Sequence, residues 1–124
     1  MNPECARCAP KSPNLETVNP PDALPLACNL NAIPPDDQHR YKGLVTRLRA
    51  GIRDRTELPF GYAYRLDLTS ISLPELGDWI TLERLCCAFL SFRIEVDADG
   101  SARLTVLGPK GVKAVLQEEF PAGV

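Results

Sequence analysis

The chain has 124 residues, 44 % of them hydrophobic, which suits one domain around one core. Fourteen basic residues against sixteen acidic ones leave a formal net charge of −2, so there is no cationic excess of the kind that binds nucleic acid. No stretch approaches about 18 consecutive apolar residues, and no basic region followed by an apolar one opens the chain. A cytoplasmic protein with neither nucleic acid nor membrane as partner is expected.

Residues 1–35 hold 8 of the 12 prolines and few apolar side chains, so residues 1–25 are expected as an extended or mobile arm and residues 26–124 as a single α+β domain. The arm carries Cys5-Ala6-Arg7-Cys8, a spacing at which two thiolates can share one metal ion. A zinc site there needs two further ligands, for which Cys28 and one of Cys86 or Cys87 are available; without them Cys5 and Cys8 are two exposed thiols on a flexible tail. Leu26, Cys28 and Leu30 alternate as in a short edge strand or an extended segment lying on the core, which turns Cys28 inward.

Asp36 or Asp37, after Pro34-Pro35, begins a helix whose apolar positions Tyr41, Leu44, Val45, Leu48 and Ile52 recur at helical spacing, with an end near Gly51. The outer face and the turn beyond it hold Arg40, Lys42, Arg47, Arg49, Arg53 and Arg55 against the single acid Asp54. That run is either a solvated face or an anion site, with Arg40 and Arg47 as the anion-binding candidates. His39 is expected at the surface.

Over residues 60–68, Tyr62, Tyr64, Leu66 and Leu68 alternate with Ala63, Arg65 and Asp67, as in a half-exposed strand. Ser72 then reads as an N-cap, with Pro74 in the first turn and Glu75 three residues after the cap, where it can return a bond to the cap N–H. In the helix that follows, Leu76, Ile80, Glu83, Cys87 and Leu90 form one stripe and Trp79, Leu82, Cys86 and Phe89 another, so most of its surface is expected to be buried. Glu83 is the polar exception and needs a cation, a donor, a metal or a proton; an arginine such as Arg84 or Arg65 is the ordinary partner. Cys86 and Cys87 are about 100° apart on a regular helix, so one is expected to pack and the other to be available.

Phe92, Ile94 and Val96 alternate with charged residues, Asp99-Gly100 supplies a turn, and Ala102, Leu104 and Val106 alternate again, which makes a hairpin. Val112, Val115, Leu116 and Phe120 form the apolar side of a last short helix. Helix, strand, helix, strand, strand, helix amounts to an α+β two-layer sandwich with an antiparallel sheet and a ferredoxin-like split βαβ arrangement.

Ala27-Cys28-Asn29-Leu30 together with the run at 83–92, Glu-Arg-Leu-Cys-Cys-Ala-Phe-Leu-Ser-Phe, resembles a group of small, largely uncharacterised bacterial proteins. In these a Cys-Thr-Leu-like start precedes an arginine-bearing helix, and a Glu-x-x-Cys-Cys-x-Phe helix leads into a β-hairpin and a closing helix. The resemblance covers about residues 26–120. Asn29 stands where threonine is usual, and Ala88 where proline or serine is frequent. The resemblance implies an association with heavy-metal or arsenic resistance for some members, and no established activity.

Three functions follow as expectations. In the first, Cys28, Cys86 and Cys87 converge beside Glu83 to hold a soft metal or metalloid ion, zinc being one such cofactor. In the second, one cysteine is a redox-active or nucleophilic thiol whose thiolate is favoured by Arg84 or Arg65. In the third, the cysteines only pack, and Trp79 or a strand edge meets a partner chain, a second copy in a homodimer included.

Overall fold

A computed structural model describes residues 26–120; the proline-rich arm with Cys5 and Cys8 lies outside the described residues. Within them the α+β two-layer reading holds: one four-stranded antiparallel sheet is backed by three α-helices.

The first helix, α1 (Pro35–Gly51), starts where Pro35 supplies a preset φ and Asp36 and Asp37 lie against the positive end of the helix dipole. Tyr41, Leu44 and Leu48 are its buried face, as their spacing requires. Instead of a turn, Gly51 leads straight into β1 (Ile52–Leu58), which pairs antiparallel with β2 (Gly61–Leu66) through a register shift between Ile52 and Asp54. The sequence reading missed β1 because the stretch IRDRTEL has no alternating apolar pattern. Its polar side chains are instead held by β2 and α3: Arg55 lies 4.5 Å over the Tyr62 ring, and Lys113 pairs with Glu57 at 2.7 Å.

In β2, Tyr62, Tyr64 and Leu66 are buried toward the helices, and Arg65 is exposed on the opposite face. Helix α2 (Leu73–Cys86) opens with the expected capping box, Ser72 Oγ accepting from the Glu75 amide at 3.2 Å and Glu75 Oε1 from the Ser72 amide at 3.0 Å. It crosses to β3 (Ser91–Val96), which is joined to β4 (Ala102–Leu107) by a turn in which Gly100 takes the left-handed region at φ 89°. The strand order β1-β2-β4-β3 puts β4 between β2 and β3, so β2–α2–β3 is a split βαβ unit. The short α3 (Val112–Glu119) closes the chain over the sheet.

Trp79, fully buried, packs edge-on against Phe92 at 5.5 Å and Phe120 at 5.9 Å, while Phe120 meets Tyr64 at 5.5 Å. The indole therefore ties α2, β3 and the end of α3 together, and the expectation that Trp79 meets a partner chain is corrected: it has no surface to offer. His39 is exposed, as expected. No helix among the described residues is long and apolar enough to cross a membrane.

Ser72→Ala leaves the Glu75 amide at the start of α2 without its side-chain acceptor and should cost about 1 kcal/mol. The outcome to look for is a fall of several degrees in Tm, with the heat-unfolding transition remaining cooperative.

Candidate thiol and carboxylate site

The site forms where α2 stops. The last carbonyls of a helix have no partner within it, and here the Cys86 carbonyl accepts the Asn29 amide at 2.8 Å. Asn29 also accepts the Asn31 amide on its side chain at 3.1 Å, capping the 3-10 turn Leu30–Ala32 that leads to α1. The segment before α1 is thereby held across the end of α2, with Leu26 and Cys28 packed against the core and Leu30 at the surface.

Cys87 does not continue the helix: its φ of −123° and ψ of 76° lie outside the helical region, although its amide still reaches the Glu83 carbonyl at 2.7 Å. This corrects the expectation of a helix carrying both stripes to Leu90, and with it the divergence of the two adjacent thiols. The chain bend brings Cys86 Sγ to 3.8 Å from Cys87 Sγ, and Cys28, from 59 residues away, joins Cys87 in a disulfide with 4.6 Å between the Cα atoms. This corrects the expectation of Cys28 and Cys87 as thiols or ligands; Cys86 alone remains a free thiol among the described residues. The three sulfur atoms lie within 4.8 Å of one another.

Glu83 is completely buried beside them, deeper than the edge of the apolar face where its stripe position put it. Its partner is not an arginine. Tyr41 of α1 donates its hydroxyl hydrogen to Glu83 Oε1 at 2.7 Å, and Oε2 has no hydrogen-bond partner. Arg84 and Arg65 are both exposed, and Arg65 is on the far face of the sheet. One oxygen of the Glu119 carboxylate, at the end of α3, comes within 4.8 Å of Glu83 and of the sulfurs of Cys28 and Cys87.

Burial is the main cause that pushes the Glu83 carboxyl up to about 9; the neighbouring Glu119 adds to it, and the Tyr41 hydroxyl offsets part. At neutral pH Glu83 is therefore a neutral acid. The Cys86 thiol is pushed up to about 11, first by burial and then by Glu83, which has ionised by that pH, and Glu119. No arginine is among the groups that act on the Cys86 thiol.

The site opens on a cleft of about 390 Å³ lined by Cys28, Tyr41, Lys42, Arg49, Cys86 and Glu119 among others. Arg49 is held at its rim by a 2.7 Å bond from Nε to the Glu119 carbonyl. The anion-binding candidates Arg40 and Arg47 lie elsewhere on α1: Arg40 faces Asp37 at 3.6 Å and Asp78 at 3.4 Å, and Arg47 faces Glu75 at 3.6 Å. Exposed pairs of this kind contribute at most about 1 kcal/mol, and here two of them link α1 to α2.

Of the residues singled out in the sequence, Cys28, Glu83, Cys86 and Cys87 come together. Tyr41 and Glu119 were missed as members. Tyr41 was legible only as an apolar position of its helix, and for Glu119 the sequence carries no signal. No protein-family model, curated protein or solved structure matches this chain.

Two outcomes follow. A bridge closing a loop of this length contributes on the order of 4 kcal/mol in the chain-entropy description, so Cys28→Ser, or reduction of the wild type, should lower unfolding free energy by about 2–5 kcal/mol in denaturant titrations. Between the ordinary carboxylate range and pH 9 the folded chain holds a proton on Glu83 that the unfolded chain has released. Stability should therefore fall as pH rises through that window, and a Tm series from pH 5 to 9 should have a shallower slope in Glu83→Gln than in the wild type.

Proposed function

We propose that the protein, with its Cys28–Cys87 bridge reduced, captures a soft metal or metalloid ion on Cys28, Cys86 and Cys87. The observation that carries this reading is the convergence of three sulfurs, from two segments distant in sequence, to within 4.8 Å. Metal–sulfur bonds of about 2.3 Å place tetrahedral ligands about 3.8 Å apart, and Cys86 and Cys87 already stand at 3.8 Å. Thiolates select soft centres such as zinc or copper(I), and arsenic(III) and mercury(II) follow by the same preference. A second combination, Cys28 and Cys87 with Glu83 and Glu119, offers two sulfurs and two oxygens within the same distance and suits zinc better than arsenic.

Binding has to displace protons from buried thiols, so affinity should rise with pH. Arsenic or mercury capture would agree with the resistance association implied by the sequence resemblance, and a ferredoxin-like parentage of the split βαβ unit and a cytoplasmic setting belong to the same reading. A dithiol–disulfide couple at Cys28 and Cys87 is a second reading, favoured by their being bonded and by the access that the cleft gives to Cys28.

Calorimetric titration of the reduced chain with arsenite, mercury(II) and zinc tests the first reading. Saturable binding of one ion per chain is expected, lost in Cys28→Ser and Cys87→Ser and weakened at least tenfold in Cys86→Ser, in line with the loss of one thiolate ligand. Equal uptake by the wild type and all three variants would rule it out.

A further inference from the structure

The two halves of the bridge are unequal. Cys87 is fully buried, whereas Cys28 is only half-buried and forms part of the cleft wall, so an incoming reagent can reach the bond from the Cys28 side alone. The cleft walls are charged in a particular pattern. Lys42, one turn from Thr46 on α1, is exposed and has no acidic partner among the described residues. Arg49 is held by its Nε while the terminal N–H groups of its fork have no described partner. Glu119 is the one acid on the lining. A volume of about 390 Å³ is at the small-molecule end of ligand sites, too little for a folded partner.

Two cations and one carboxylate around an accessible sulfur are complementary to a small amino-acid thiol, which carries carboxylates and an ammonium group. We infer that the cleft binds such a thiol and that it opens the Cys28–Cys87 bridge by exchange at Cys28 Sγ. This rests on the second reading above and not on metal capture.

The thiolate of the small molecule attacks Cys28 Sγ, the bond to Cys87 Sγ breaks, and Cys87 leaves as a thiolate that takes up a proton. A second small thiolate then attacks its like in the mixed disulfide and releases Cys28, which is protonated in turn. Two small thiols become one small disulfide, and the protein gains two electrons and two protons. Lys42 and Arg49 position the carboxylates, and Glu119 faces the ammonium; none of the three exchanges electrons or protons.

The test uses the oxidised full chain with a chelator present, so that the result is independent of metal binding. Opening of the bridge is followed by alkylation and mass analysis with glutathione, uncharged 2-mercaptoethanol and cationic cysteamine, each rate being normalised to its thiolate concentration. Glutathione should react about tenfold faster than 2-mercaptoethanol and with saturation, cysteamine more slowly than either, as charge-assisted contacts of this kind imply. Lys42→Glu should remove the glutathione advantage and leave the 2-mercaptoethanol rate unchanged, while Lys42→Arg keeps it. Equal normalised rates for the three thiols in the wild type, or a Lys42→Glu effect common to all three, would overturn the inference.

Discussion

The Cys86 carbonyl, left open where α2 ends, accepts the Asn29 amide, and the arrangement of the cysteines depends on that bond. A helix terminus needs donors for its last carbonyls, and an extended segment is one of the few elements that can bring one without burying an unpaired group of its own. Once the segment lies there, Cys28 stands over Cys87, and the 3-10 turn that follows directs the chain into α1. Fixing α1 in turn delivers Tyr41 to Glu83 and brings Lys42 and Arg49 to the cleft.

Glu83 gives the site its electrical character. A carboxyl with no exposure and one hydroxyl donor is most stable when neutral, and its neighbour Glu119 strengthens that preference. Keeping Cys86 protonated follows from the same surroundings. The interior therefore favours uncharged ligand groups, and an arriving soft cation is the kind of partner that reverses the balance, because it stabilises thiolates and carboxylates together. The basic side chains are segregated at the cleft rim, outside that interior.

The bridge and the free thiol beside it make oxidation state a property of the whole domain. With Cys28 and Cys87 joined, the loop between them is closed and two of the three sulfurs are occupied with each other. With the bond open, the three are available together. The proposed metal capture and the proposed thiol exchange would thus concern the same atoms in different redox states, with the cleft as the common way in.

Periodicity and capping signals alone determined the helices, β2, the hairpin and the antiparallel two-layer class, because these depend on spacing within one segment: Ser72 with Glu75, Tyr62 with Tyr64, Asp99 with Gly100. The place of Glu83 in the apolar stripe with Leu76 and Ile80 was also legible, although the spacing put it at the edge of that face and only the packed structure buries it completely. What only the tertiary structure decided was β1, whose charged residues are held by partners on β2 and α3, and the meeting of Cys86 with Cys87, which requires a departure from helical geometry at a single residue. The partners Tyr41 and Glu119 belong to the same class. They are 42 and 36 residues from Glu83, and no local pattern records a contact that is made only when α1, α2 and α3 pack together.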